Sequence, residues 1–106
     1  MFKIGMLMMA PDGDPEIHRA TLCTGAMEYT LVAIEGGNID QAVAVCRELA
    51  ENNGVDSIFL CPGFNYSAVA RVKEAVGENV ALNTTSADLE NFQVALRLLA
   101  AQGIVH

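Results

Sequence analysis

Positive charge is scarce in this chain. Its six basic residues, Lys3, Arg19, Arg47, Arg71, Lys73 and Arg97, are scattered, and the formal net charge is −7. Non-specific binding to nucleic acid needs Lys and Arg against phosphate, so that class of partner is disfavoured. No apolar run approaches the length needed to cross a bilayer, which excludes a membrane partner of the spanning kind. The run Ile4 to Ala10 after Lys3 is short and reads as a first strand, not a signal peptide. Cysteine is limited to Cys23, Cys46 and Cys61. An odd count without close pairing argues against a disulfide framework and points to a reducing cytoplasm. There is no GxGxxG and no Walker lysine, no internal repeat, no heptad and no low-complexity tract. No cofactor is implied.

What the chain has in plenty is apolar residues, 52% of 106, against 18% charged. That composition suits one folded domain over residues 1–106 and is too apolar for disorder. It also suggests that part of the surface is covered by a second copy, since monomers rarely expose large apolar patches.

The pattern along the chain is that of an α/β fold. Phe2 to Ala10 is a strand covered on both faces. Residues 11–26 form a long polar connection, with a helical turn over Pro15 to Ala20 capped by Asp14. Met27 to Ile34 is a strand nearer a sheet edge. Asn38, with Gln41 three residues on, caps a helix whose apolar face carries Ile39, Ala42, Val43, Cys46, Leu49 and Ala50. Val55 to Leu60 is a buried strand. A helix capped by Asn65 or Ser67 follows and stops at Gly77, and Val80 to Leu82 is a short strand. Thr85 with Asp88 resembles a capping box for a last helix, which is apolar on two sides. Gly103 ends that helix, leaving Ile104 to His106 as a tail.

Alternating strands and helices predict a small open sheet of four mostly parallel strands with three helices, a Rossmann-like or flavodoxin-like half. The direction of the first strand depends on the connection 11–26. A crossover makes it parallel and a hairpin-like return makes it antiparallel; its central composition favours the crossover. In open α/β sheets ligands bind beyond the C-terminal ends of the parallel strands. The segment at that edge with most chemistry is Cys61-Pro62-Gly63-Phe64-Asn65, between a strand and a helix N-terminus. A thiol there is a candidate nucleophile or proton carrier, and the amides of a helix start can receive an anion. The candidate catalytic residues are Cys61 and His18. Arg19, Cys23, Gly63, Phe64, Asn65, Asn83 and Thr84 are the candidate ligand-binding residues. Asp12, Asp14, Glu16 and His18 alternate, but they read as a solvated loop, and no metal site is expected.

The opening MFKIGMLMMAPDGDPEIHRA, the strand MEYTLVAI and the segment GVDSIFLCPGF resemble a family of short prokaryotic α/β proteins of unknown function. Members of that family carry a His-Arg-Ala step, here His18-Arg19-Ala20, and a strand ending in Cys-Gly-Gly-Phe, here Cys61-Pro62-Gly63-Phe64. Pro62 replaces a glycine and brings no N–H donor. The resemblance covers roughly residues 1–82 and implies a shared loop but no reaction. Three readings of function follow. The first is a protein binding a small anionic metabolite at the sheet's C-terminal edge. The second is an isomerase or racemase using Cys61, and the third is an interaction module dimerising through the last helix.

Overall fold

The computed structural model describes Met1 to Ile104; the expected tail at Val105 and His106 lies outside the described residues. The chain runs β1 (Phe2–Ala10), β2 (Arg19–Cys23), β3 (Met27–Glu35), α1 (Ile39–Glu51), β4 (Ser57–Leu60), α2 (Tyr66–Val76), β5 (Ala81–Thr84) and α3 (Leu89–Ala101). The sheet has five strands in the order β2-β3-β1-β4-β5. The expected four strands are corrected to five. β1, β3, β4 and β5 are parallel, and β2 is antiparallel to β3. The four parallel strands follow the flavodoxin-like order.

The added strand lies in the connection expected to be polar loop and helical turn. A turn does form after Asp14, whose carbonyl accepts from the Ile17 and His18 N–H groups. From Arg19 the chain is extended along the sheet edge and turns at Thr24, where the Met27 N–H donates to Oγ1 at 2.9 Å. β1 is parallel to its neighbours, as a crossover would make it, but the return runs in the plane of the sheet through β2.

Helix starts follow local chemistry. Asn38 Oδ1 accepts from the Gln41 N–H, while Gln41 Oε1 reaches back to the Glu35 N–H at 2.7 Å. Asn65 caps α2 by accepting from the Ala68 N–H. The expected Thr85–Asp88 capping box does not form. Asp88 itself caps α3, accepting from the Glu90 N–H, and Thr85 instead donates Oγ1 to the Leu60 carbonyl.

α1 and α2 pack on each other and cover one face of the sheet. Alternation along the strands points Leu7, Val32, Ile34, Ile58 and Leu60 into that layer, where all are fully buried with Cys46 and Leu49. Gly5 lets α1 sit close: a Cβ there would stand 3.0 Å from Leu49 Cδ1. Among the described residues no helix covers the opposite face. Met6, Met8, Leu31 and Leu22 are exposed on it, and α3 buries no residue.

Burial pushes the Cys46 thiol up from 9.0 to about 12. In the unfolded chain this thiol ionises near its ordinary value, while in the fold it keeps its proton. Its contribution to stability is therefore whole below pH 9 and is lost as pH rises towards about 12. Across that window unfolding free energy should fall by up to about 1.4 kcal/mol per pH unit from this group alone. Urea titrations of the natural protein and of Cys46→Ala should differ by that slope. Parallel pH profiles would refute it.

Candidate functional site

The C-terminal ends of β1, β3, β4 and β5 gather the loops after Ala10, Glu35, Leu60 and Thr84. Cys61 lies at the end of the third of these. Its N–H donates to the Leu7 carbonyl and its own carbonyl accepts from the Phe64 N–H, which tightens the loop into a turn. Cys61 as a residue is 9% exposed. Gly63 sits against two sulfurs: a Cβ on it would be 3.0 Å from Met9 Sδ and 3.7 Å from Cys61 Sγ. Thr85 is anchored to the residue before Cys61, with its N–H and its Oγ1 both on the Leu60 carbonyl. Phe64 packs against the core from above the loop.

Two shallow clefts of about 250 and about 340 Å³ mark the surface. Neither is lined by Cys61, Gly63, Phe64 or Asn65. The first, between the turn after Asp14 and α1, holds Arg19 with Asp14, Glu16 and Glu48. The second lies between α1 and α2 with Arg47, Arg71 and Glu74, and Arg71 is bound to Asp40. Every buried side-chain nitrogen and oxygen among the described residues has a hydrogen-bond partner. No cluster of three His, Cys, Asp or Glu side chains among them converges as for a metal.

The sheet order separates the residues that the sequence groups. Arg19 is level with Val32, Leu7 and Leu60 in the ladder, so His18 and Arg19 do lie towards the C-terminal edge. Arg19 opens β2 and His18 stands just before it, however, three strand spacings from β4, or about 14 Å. Cys23 is level with Glu28 and Lys3, at the other end of the strands. It stands roughly 20 Å from Cys61 once length and width are combined, so a two-cysteine pair does not form within one chain. Asn83 and Thr84 fall inside β5 and not in a loop. The Asn83 amide donates to Ser57 Oγ at 2.8 Å and to the Ile58 carbonyl, on the helix-free face.

Arg19 already has its own partners. Its Nε donates to the Pro15 carbonyl at 2.7 Å, and its two terminal nitrogens meet the Glu48 carboxylate at 3.0 and 3.5 Å. His18 Nδ1 accepts from the Asp14 N–H. Both side chains of the ion pair are about a third exposed, so solvent screens it. Arg19→Ala should lower stability by about 1 kcal/mol or less, read from the urea midpoint. A much larger loss would mean that the turn after Asp14 holds the fold.

A protein-family profile described as a family of unknown function, DUF6506, matches residues 2–100. The chain belongs to the DUF6506 family. The match runs almost to the end of α3, so the expectation that the resemblance stops near residue 82 is corrected. The last helix falls almost wholly within the matched span. No curated protein and no solved structure matches the chain.

Proposed function

We propose that this DUF6506 chain is a self-associating α/β module whose working unit is a homo-oligomer joined through α3. One observation carries the reading: α3 lies almost wholly inside the family match, is apolar on two sides, and buries none of its residues. Leu89, Phe92, Leu96 and Leu99 form one stripe, and Val94 and Leu98 form another. A helix that is apolar on two sides belongs in an interior, and the isolated chain offers α3 none.

The anionic-metabolite reading has weaker support. Cys61 is buried with Met9 and Gly63 beside it, neither cleft is lined by it, and the cleft beside Arg19 carries three carboxylates against one guanidinium. An isomerase using Cys61 needs a second acid within reach. His18 and Cys23, the partners that the sequence suggests, stand strands away.

Light scattering after gel filtration tests the assembly. The natural chain should elute at twice its mass, and a chain ending at Ser86 should elute as a monomer with its far-UV signature of α1, α2 and the sheet retained. A monomeric natural chain at high micromolar concentration would refute the reading.

A further inference from the structure

The helix-free face of the sheet is the second unpartnered surface of this chain. Its residues alternate with the core residues along β1 and β3: Phe2, Met6 and Met8 of β1 and Leu31 of β3 are exposed there, with Leu22 of the exposed edge strand β2 beside them. Between Phe2 and Met8, and between Met27 and Ala33, that face carries no charged side chain, on a chain of net charge −7. Two of its polar donors are already engaged. Asn83 is bound to Ser57 and Ile58, and the Tyr29 hydroxyl donates to Met27 Sδ. Covering the face would leave both of these donors bonded. A mostly parallel sheet ordinarily has both faces covered, and here the route through β2 supplies no helix for the second.

We propose that α3 of one chain docks on the helix-free sheet face of a second copy, and reciprocally, to give a closed two-fold dimer. The proposal rests on the self-association reading and names the surface that α3 meets.

Geometry favours the second copy over the chain's own α3. Only residues 85–88 separate β5 from α3, and Thr85 is fixed to Leu60. A helix is about 10 Å wide, or roughly two strands. Folded back from β5, α3 would cover β5 and β4. The exposed apolar residues lie on β1, β3 and β2, two to four strands away. A helix from another chain has no such tether.

Size agrees as well. Thirteen residues make a helix about 20 Å long. One such contact removes on the order of 400 Å² from each surface, and two reciprocal contacts together about 1,600 Å², the usual area of a stable interface. The second stripe, Val94 and Leu98, then lies free to meet its symmetry mate near the two-fold axis, which accounts for apolar residues on both sides of α3.

Two full-length variants test this, each with a charge at an exposed position, so the core is untouched: Leu31→Lys on the sheet and Leu99→Glu on the helix. Each alone should dimerise at least about a hundred-fold more weakly, because an apolar contact would have to bury a charge. Mixed in equal amounts they should form dimers at concentrations where neither does alone. The mixed pair keeps one natural contact and sets Glu against Lys in the other. Leu22→Lys serves as the sheet variant if Leu31→Lys lacks the natural far-UV spectrum.

A sheet variant that stays dimeric while Leu99→Glu is monomeric overturns the proposal and leaves self-association standing, with α3 packed on α3. A helix variant that stays dimeric while the sheet variant is monomeric overturns it too, since the sheets would face each other directly. A natural chain that is monomeric overturns both readings. Protection of the Met6 and Met8 side chains from peroxide oxidation in that monomer would identify its own α3 as the occupant.

Discussion

Gly13→Ala is expected to cost about 3 kcal/mol or more, a lower urea midpoint at unchanged slope. A Cβ at Gly13 would lie 2.1 Å from the Ile34 carbonyl oxygen and 2.4 Å from its carbon. Both are backbone atoms, so no side chain can swing aside. Nor can the strand give way easily. Ile34 is paired with Met9, and the N–H groups of Gly13 and Gly36 both donate to the Ala10 carbonyl. The loop after β1 is thus clamped on the end of β3. Gly13 is not among the glycines with positive φ, so its cost comes from room and not from backbone angle. Gly25 supplies the control: nothing lies within 4 Å of a Cβ there, and its φ is ordinary. Gly25→Ala should stay within about 0.5 kcal/mol of the natural protein or gain slightly, since alanine restricts the unfolded chain. Equal effects at the two glycines would refute the clamp.

Leu7→Ala should cost about 2–5 kcal/mol, towards the upper part of that range. Leu7 stands at the middle of β1, paired with Val32 on one side and Leu60 on the other, and all three are fully buried. Their neighbours are held by strand ladders, so the space left by three carbons cannot collapse far. Met6→Ala, one residue earlier, is the informative companion. Met6 points to the helix-free face and is 37% exposed, so its loss from a lone chain should cost about 1 kcal/mol. In a dimer covered by α3 the same change should also weaken association, and its effect should grow with protein concentration. A Leu7→Ala loss below 1 kcal/mol would show that the core can refill the space.

Much of this architecture is legible in the residues. The apolar run at Phe2 to Ala10, the Asn38 cap with its helical stripe and the buried strand before Cys61 all form where pattern and capping chemistry place them. β2 is not legible. Its five residues, RATLC, are all exposed and too few for alternation to register, and they follow a proline-rich acidic turn that reads as loop. Missing that strand hides the larger consequence. A crossover would have brought a helix over the second face, whereas the in-plane return leaves it bare. At the candidate site, the position of Cys61 at a strand end is readable. The packing beside it is not, because Met9 comes from another strand. Asn83 is misplaced for a similar reason: β5 extends two residues beyond its apolar part, carried by pairing with Phe59 and Leu60.

The planar route of the first thirty-five residues also bears on the order of folding. Cys23 meets Glu28 across a separation of five residues, whereas Phe2 finds Met27 across twenty-five, from 27 − 2. Closing a segment five times longer costs about 1.4 kcal/mol more in chain entropy. The edge hairpin is therefore the least costly contact in the sheet to make first, and β1 can add to a β3 that is already extended. Where a βαβ unit must wait for its helix before two strands can meet, this chain carries a ready template in its first third.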